Sequence, residues 1–218
     1  MPRIRAVKPK KRGRRQLQTP NEEVRDRIFE AAALLIADGG FPVLRIDELA
    51  SKAGISVGTF YLYFEGKDDL FVQLVDSFTQ QLRERFHVAS KGGGTVVERL
   101  EYRLDAYLDF VEENRRGFQY FRDSGAVETT GGRLSTWAMG VHAQDLRSLL
   151  EEGMAAGELR PMDSDLLAHA MVGLLQHMAG VWLDNHGSVS RHELRAFVDG
   201  LIAFGIRPIE EPNSEERG

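Results

Sequence analysis

Gly54 divides residues 44–67, Leu-Arg-Ile-Asp-Glu-Leu-Ala-Ser-Lys-Ala-Gly-Ile-Ser-Val-Gly-Thr-Phe-Tyr-Leu-Tyr-Phe-Glu-Gly-Lys, into two short helical patterns. Before it, Ile46, Leu49, Ala50 and Ala53 recur at helical spacing and can face a core. The glycine admits the left-handed backbone that ends one helix and turns the chain sharply. Ile55 then plugs inward, and Ser56 is a good N-cap for the second helix. Phe60 and Phe64 lie four apart on one face, which leaves Thr59, Tyr61 and Tyr63 towards solvent. A short helix that buries two phenylalanines yet displays hydroxyls, with Lys67 after it, suits a groove of nucleic acid. The pattern is a helix-turn-helix whose second helix is the reader.

Ala53-Gly54-Ile55-Ser56-Val57-Gly58-Thr59-Phe60-Tyr61-Leu62-Tyr63-Phe64-Glu65-Gly66-Lys67-Asp68-Asp69-Leu70 also resembles the TetR family of bacterial transcriptional regulators. That family's pattern is an Ala-Gly turn, then Ser-x-Gly-Thr-(aromatic or Leu)-Tyr-x-Tyr-Phe-x-x-Lys-x-x-Leu. The preceding Arg27-Ile28-Phe29-Glu30-Ala31-Ala32 and Gly39-Gly40-Phe41 fit too, so the resemblance covers about residues 21–75. It implies phosphate contacts from Tyr61, Tyr63 and Lys67, and base or groove contacts from Val57, Gly58, Thr59 and Leu62. Tyrosine hydroxyls and a lysine fix register on phosphates, while Thr59 can reach a base edge or a thymine methyl. Arg45 stands where the family usually has a threonine cap. A cap is expected to be lost there, and a guanidinium near phosphate gained. Val57 and Leu62 are apolar where polar readers are common, which shifts specificity towards apolar contact and DNA shape.

Charge is distributed unevenly. The net charge is −5, yet residues 1–15 hold eight basic side chains and no acid, leaving 20 basic against 33 acidic residues in the remainder. A basic arm on an acidic body fits a nucleic-acid binder, and the arm (1–20) is expected to be disordered and to contact DNA with low base specificity. The chain has no cysteine, hence no disulfide or thiolate metal site, in keeping with a reducing cytoplasm. Its longest wholly apolar run, Ala31 to Ala37, is too short to span a bilayer, and no membrane association is expected.

Helical patterns run at about 21–38, 46–53, 57–64, 67–90, 96–114, 117–123, 134–156, 163–185 and 190–205, with Gly92-Gly93-Gly94, Gly131-Gly132, Gly157, Pro161 and Gly187 in or near the breaks. No β-alternating run appears. The expected fold is all-α, about nine helices, with a three-helix head (21–66) on a helical bundle (67–206) and an acidic tail (207–218). The segments 163–185 and 190–205 are apolar nearly all round, and two such terminal helices would leave apolar surface for an interface between two copies. The family resemblance implies a homodimer through this pair.

Gly54-Ile55-Ser56-Val57-Gly58 also matches the G-x-S-x-G nucleophile elbow, but that motif needs a strand before the serine and a sheet to carry it. Ser56 is better explained as an N-cap, so no catalytic residue is assigned. The six histidines show no i,i+4 pair, and no metal or cofactor is expected. Aromatic and methionine side chains of the bundle could line an apolar effector cavity, with Tyr102, Phe110, Phe118, Phe121, Trp137, His142, Met171 and His177 as its candidate residues. The resulting expectation is a ligand-responsive homodimeric regulator of double-stranded operator DNA, a repressor or else an activator. A helical enzyme or ligand-binding protein without DNA function is the remote alternative.

Overall fold

A computed structural model describes residues 21–115, 117–119, 130–184, 189–206 and 208, with backbone alone at 37, 130–137 and 203–204. No strand occurs among the described residues. The basic arm and the acidic tail lie outside them, as does most of the pattern at 117–123.

The head begins at α1 (Glu22–Gly39). Asn21 caps it, its side chain accepting from the Glu23 N–H, and Glu22 and Glu23 favour the positive end of the helix dipole. Gly40, at φ 81°, ends it and donates its N–H to the Ile36 carbonyl. A 3-10 turn (Phe41–Val43) comes next, with Pro42 in its first turn. Then come α2 (Ile46–Lys52) and α3 (Val57–Phe60), joined by Gly54 at φ 66°. The α3 helix is shorter than the expected 57–64. After Phe60 the chain tightens into turns, with Leu62 and Tyr63 donating to the carbonyls of Thr59 and Phe60 three residues back.

Helix α4 (Lys67–Ser90) leads from the head into the bundle. Its early residues Leu70, Phe71, Leu74 and Val75 complete the head core with Ile28, Leu49, Phe60 and Phe64. Farther on, Leu82 belongs to the bundle core, and Phe78 packs against both. The bundle continues with α5 (Val96–Glu113), α6 (Thr130–Ala155), α7 (Ser164–Asp184) and α8 (Arg191–Ile206). A reciprocal Thr95–Glu98 capping box opens α5, and Ser190 and Glu193 exchange the same pair of bonds before α8. Gly131-Gly132, expected in or near a break, follow residues 120–129, which lie outside the described ones. Both glycines lie in the first turn of α6, whose later turns are held by Ala143, Leu146, Leu149 and Leu150 in the core. Gly153 lets α6 approach closely, since a Cβ there would lie 2.8 Å from Leu159 and from Val96.

The principal helix pairs of the bundle are α6 with α7 and α4 with α5. Arg83 on α4 clamps Asp145 on α6 in a bidentate pair (2.6 and 3.1 Å). One side of the α7–α8 pair stays uncovered: Leu166 is 70% exposed and Phe197 52%. Among the described residues, α7 alone is long and apolar enough to cross a membrane by length and composition.

Candidate nucleic-acid interface and ligand cavity

Phe60 and Phe64 are sealed in the head core, with ring centroids 5.4 Å apart and Phe64 5.7 Å from Phe29. That anchoring turns the other side of α3 outward. Val57, Gly58, Tyr61 and Leu62 are exposed, and Thr59 is half-buried. Ser56 caps the helix: its Oγ accepts from the Thr59 N–H at 3.0 Å and lies 2.9 Å from Thr59 Oγ1. Thr59 therefore shares its hydroxyl with the cap, which limits the rotations open to it at a base edge.

Two of the phosphate-contact candidates are held in place by the head. Tyr63 Oη accepts from the Asn21 N–H at 2.9 Å, which ties it to the start of α1 and leaves its O–H free to donate. Lys67 Nζ donates to the Pro42 carbonyl at 3.1 Å and lies 5.1 Å from the centroid of the Phe41 ring. Its ammonium has further protons to give. The 3-10 turn, which the sequence pattern did not announce, supplies both supports of this lysine. Arg45 is engaged within the head itself. Its side chain makes no cap bond, as expected, but both guanidinium arms bind Asp47 (3.1 and 2.8 Å). The pair is exposed, so the cation is partly neutralised rather than freely offered.

The bundle encloses a cavity of about 360 Å³ between α4, α5, α6, α7 and α8. Phe110, Phe118, His142 and Met171 line it, as expected. Tyr102 and His177 do not. Tyr102 is 48% exposed because the inner stripe of α5 runs through Leu100, Leu104, Tyr107 and Val111. His177 is exposed on α7 and stands outside the lining. Phe121 and the Trp137 side chain fall outside the described residues. Sequence reasoning passed over Arg103, Asn114 and Gln176, which also line the cavity. The signal for Arg103 was present: it sits three residues after Leu100 and four before Tyr107, a charge on an apolar helical stripe.

His142 stacks edge-on to Phe86, and its Nδ1 is buried without a hydrogen-bond partner among the described residues. Burial pushes its imidazole down to about 4; nearby Arg103 and Arg83 act in the same direction, and Asp145 opposes them. The unfolded chain, with an ordinary histidine value near 6.5, accepts a proton that the folded site refuses. Stability linked to His142 is therefore intact above about pH 6.5 and drains away as pH falls towards 4. In denaturant titrations, His142→Leu should gain on the wild type by up to about 2 kcal/mol between pH 7 and pH 5. A constant difference over that range would show that the histidine is not buried neutral.

Residues 28–74 match the family model for bacterial regulatory proteins of the tetR family, and residues 93–205 match that of the tetracyclin repressor-like C-terminal domain. The chain belongs to the TetR family. It is thus a helix-turn-helix transcriptional regulator, and its relatives are named as such. The uncharacterised regulator YdgC of Bacillus subtilis is 25% identical over 197 residues, which cover 88% of this chain and 97% of YdgC. The fatty acid metabolism regulator protein of the same organism is 24% identical, over 82% of this chain and 93% of that protein. Among solved structures, FadR from Bacillus subtilis in complex with stearoyl-CoA superposes with a TM-score of 0.75 at 22% identity, covering 84% of this chain and 99% of FadR. The TetR fold accounts for the three-helix head, for α4 as the connection and for the bundle behind it.

Proposed function

We propose that this TetR-family regulator is a homodimeric cytoplasmic repressor that releases operator DNA when a largely apolar small molecule enters the bundle. Each head sets α3 in a major groove, with Val57, Gly58, Thr59 and Leu62 at the base edges and Tyr61, Tyr63 and Lys67 on phosphates. Arg45 contributes to the phosphate side only when it leaves Asp47. The observation that carries this reading is the course of α4: Lys67 begins it, and Val75, Phe78, Thr79, Leu82 and Phe86 line the cavity. A ligand that fits the cavity differently in two arrangements of α4 shifts the balance between DNA-fit and DNA-unfit dimers. A relative named for fatty acid metabolism and a structural neighbour holding stearoyl-CoA support a hydrophobic effector.

The uncovered side of α7 and α8 is assigned to the second copy. His169, Gln176 and His177 interrupt α7, and Ala168, Ala179 and Leu183 pack into the core, which favours a soluble partner over a bilayer. Ala170, Leu174 and Leu201 are both exposed and part of the cavity lining, so a partner seated there would also cover the cavity's open side.

Fluorescence anisotropy with DNA from upstream of the protein's own gene tests the reader. Lys67→Ala should weaken binding to every sequence alike and lower the salt slope by about 0.9 for each phosphate it no longer neutralises. Thr59→Ala should instead reorder preference among operator variants. An unchanged salt slope for Lys67→Ala would remove Lys67 from the interface. Absence of binding by the wild type to that DNA would count against autoregulation, and absence of binding to any duplex against the reading itself.

A further inference from the structure

Arg103 is the only lysine, arginine, aspartate or glutamate in the described cavity lining. It is largely removed from water, and burial lowers its affinity for its proton. Its guanidinium lies 4.7 Å from the centroid of the Phe86 ring. That contact engages the face of the cation rather than its N–H donors, and no carboxylate among the described residues pairs with them. Asp145, the acid whose charge acts on Arg103, is already gripped by both arms of Arg83. Among the described residues, Arg83, Arg103 and Asp145 together carry one net positive charge, since burial holds His142 beside them neutral at physiological pH. A cation so placed is costly unless an anion meets it.

We propose that Arg103 anchors the carboxylate of an amphipathic monoanion, an aliphatic carboxylic acid whose chain fills the remainder of the cavity. The inference rests on the cavity being the effector site. One negative charge balances the cluster. The guanidinium fork matches a carboxylate in two parallel hydrogen bonds. The remaining walls are chiefly Leu, Phe, Met and Val, which suit an alkyl or alicyclic chain. A cavity of about 360 Å³ lies towards the small end for ligand sites, roughly 300–1,000 Å³, and so favours a medium-length chain. A thioester carbonyl brings no charge to the cluster, so the free acid is expected to outcompete its coenzyme A ester.

Isothermal titration calorimetry on the full chain, with decanoate, decanol and decanoyl-CoA as probes, tests this. Decanoate should bind about tenfold or more tightly than decanol, as expected for one charge-assisted bidentate contact in a dry site. Arg103→Met should abolish that preference, with decanoate losing about tenfold or more relative to decanol, and Arg103→Lys should retain part of it. Arg103→Met should also match or exceed the wild-type melting temperature without ligand, because it removes a largely desolvated charge that no carboxylate among the described residues pairs with. A merely structural arginine would lower it. Equal binding of decanoate and decanol by the wild type, a preference that survives in Arg103→Met, or tighter binding of decanoyl-CoA than decanoate would each overturn the carboxylate assignment and leave the cavity reading standing. Failure of decanol and decanoate alike to bind would overturn both.

Discussion

Phe64→Ala is expected to destroy DNA binding through the fold rather than the interface. The side chain is 2% exposed and packs against Phe29 and Phe60, so its removal leaves a cavity that the short α3 cannot close without moving. Truncations of this kind cost about 3–5 kcal/mol. A domain of ordinary stability, about 5–15 kcal/mol, has little left after such a loss. Thermal unfolding followed by circular dichroism should show a melting temperature lowered by several degrees or more, and anisotropy should show operator affinity falling with the folded fraction. A variant that melts like the wild type would mean that the two phenylalanines do not hold the reader. Phe64 never faces the groove, so cooling a weakened head should recover binding, which no contact-deleting change on the outer face of α3 would allow.

Phe197→Arg is the second large effect. This ring is half exposed on α8 and lies outside the cavity lining, so the substitution leaves the ligand site alone. Leu166→Arg does the same on α7. On a two-fold interface each change appears twice, and two guanidinium groups meet near the seam. Sedimentation should show monomers at micromolar concentration. Operator affinity should fall by about a hundredfold or more, because two heads no longer act from one particle. A dimer unaffected by either change would place the interface elsewhere on the molecule. Leu175, in contrast, is half-buried and faces the cavity, so a charge there would confound assembly with ligand binding.

The head was legible because its constraints are local. Ser56 ahead of a helical pattern reads as a cap, Gly54 reads as a turn, and two phenylalanines four apart share a face. The supports of Tyr63 and Lys67 were not legible, since Asn21 and Pro42 are far from them in sequence and come near only through folding. In the bundle, choosing residues by aromatic character misplaces Tyr102, whereas the helical phase of Leu100, Leu104 and Tyr107 already turns it outward. Treating every charge as solvated likewise passes over Arg103.

The family matches end at residue 74 and resume at 93, and the gap falls on the later part of α4. Leu70, Phe71, Leu74 and Val75 fill the head core from beyond the helix-turn-helix, so the motif borrows part of its interior from the bundle's first helix. A graft that cut the chain at residue 66 would carry the reading surface and leave its floor behind. The workable seam for exchanging heads between relatives lies inside α4, past Val75, where a break in sequence need not be a break in structure. Inheritance of DNA specificity in such a protein would then come as a unit that includes part of the helix touching the ligand.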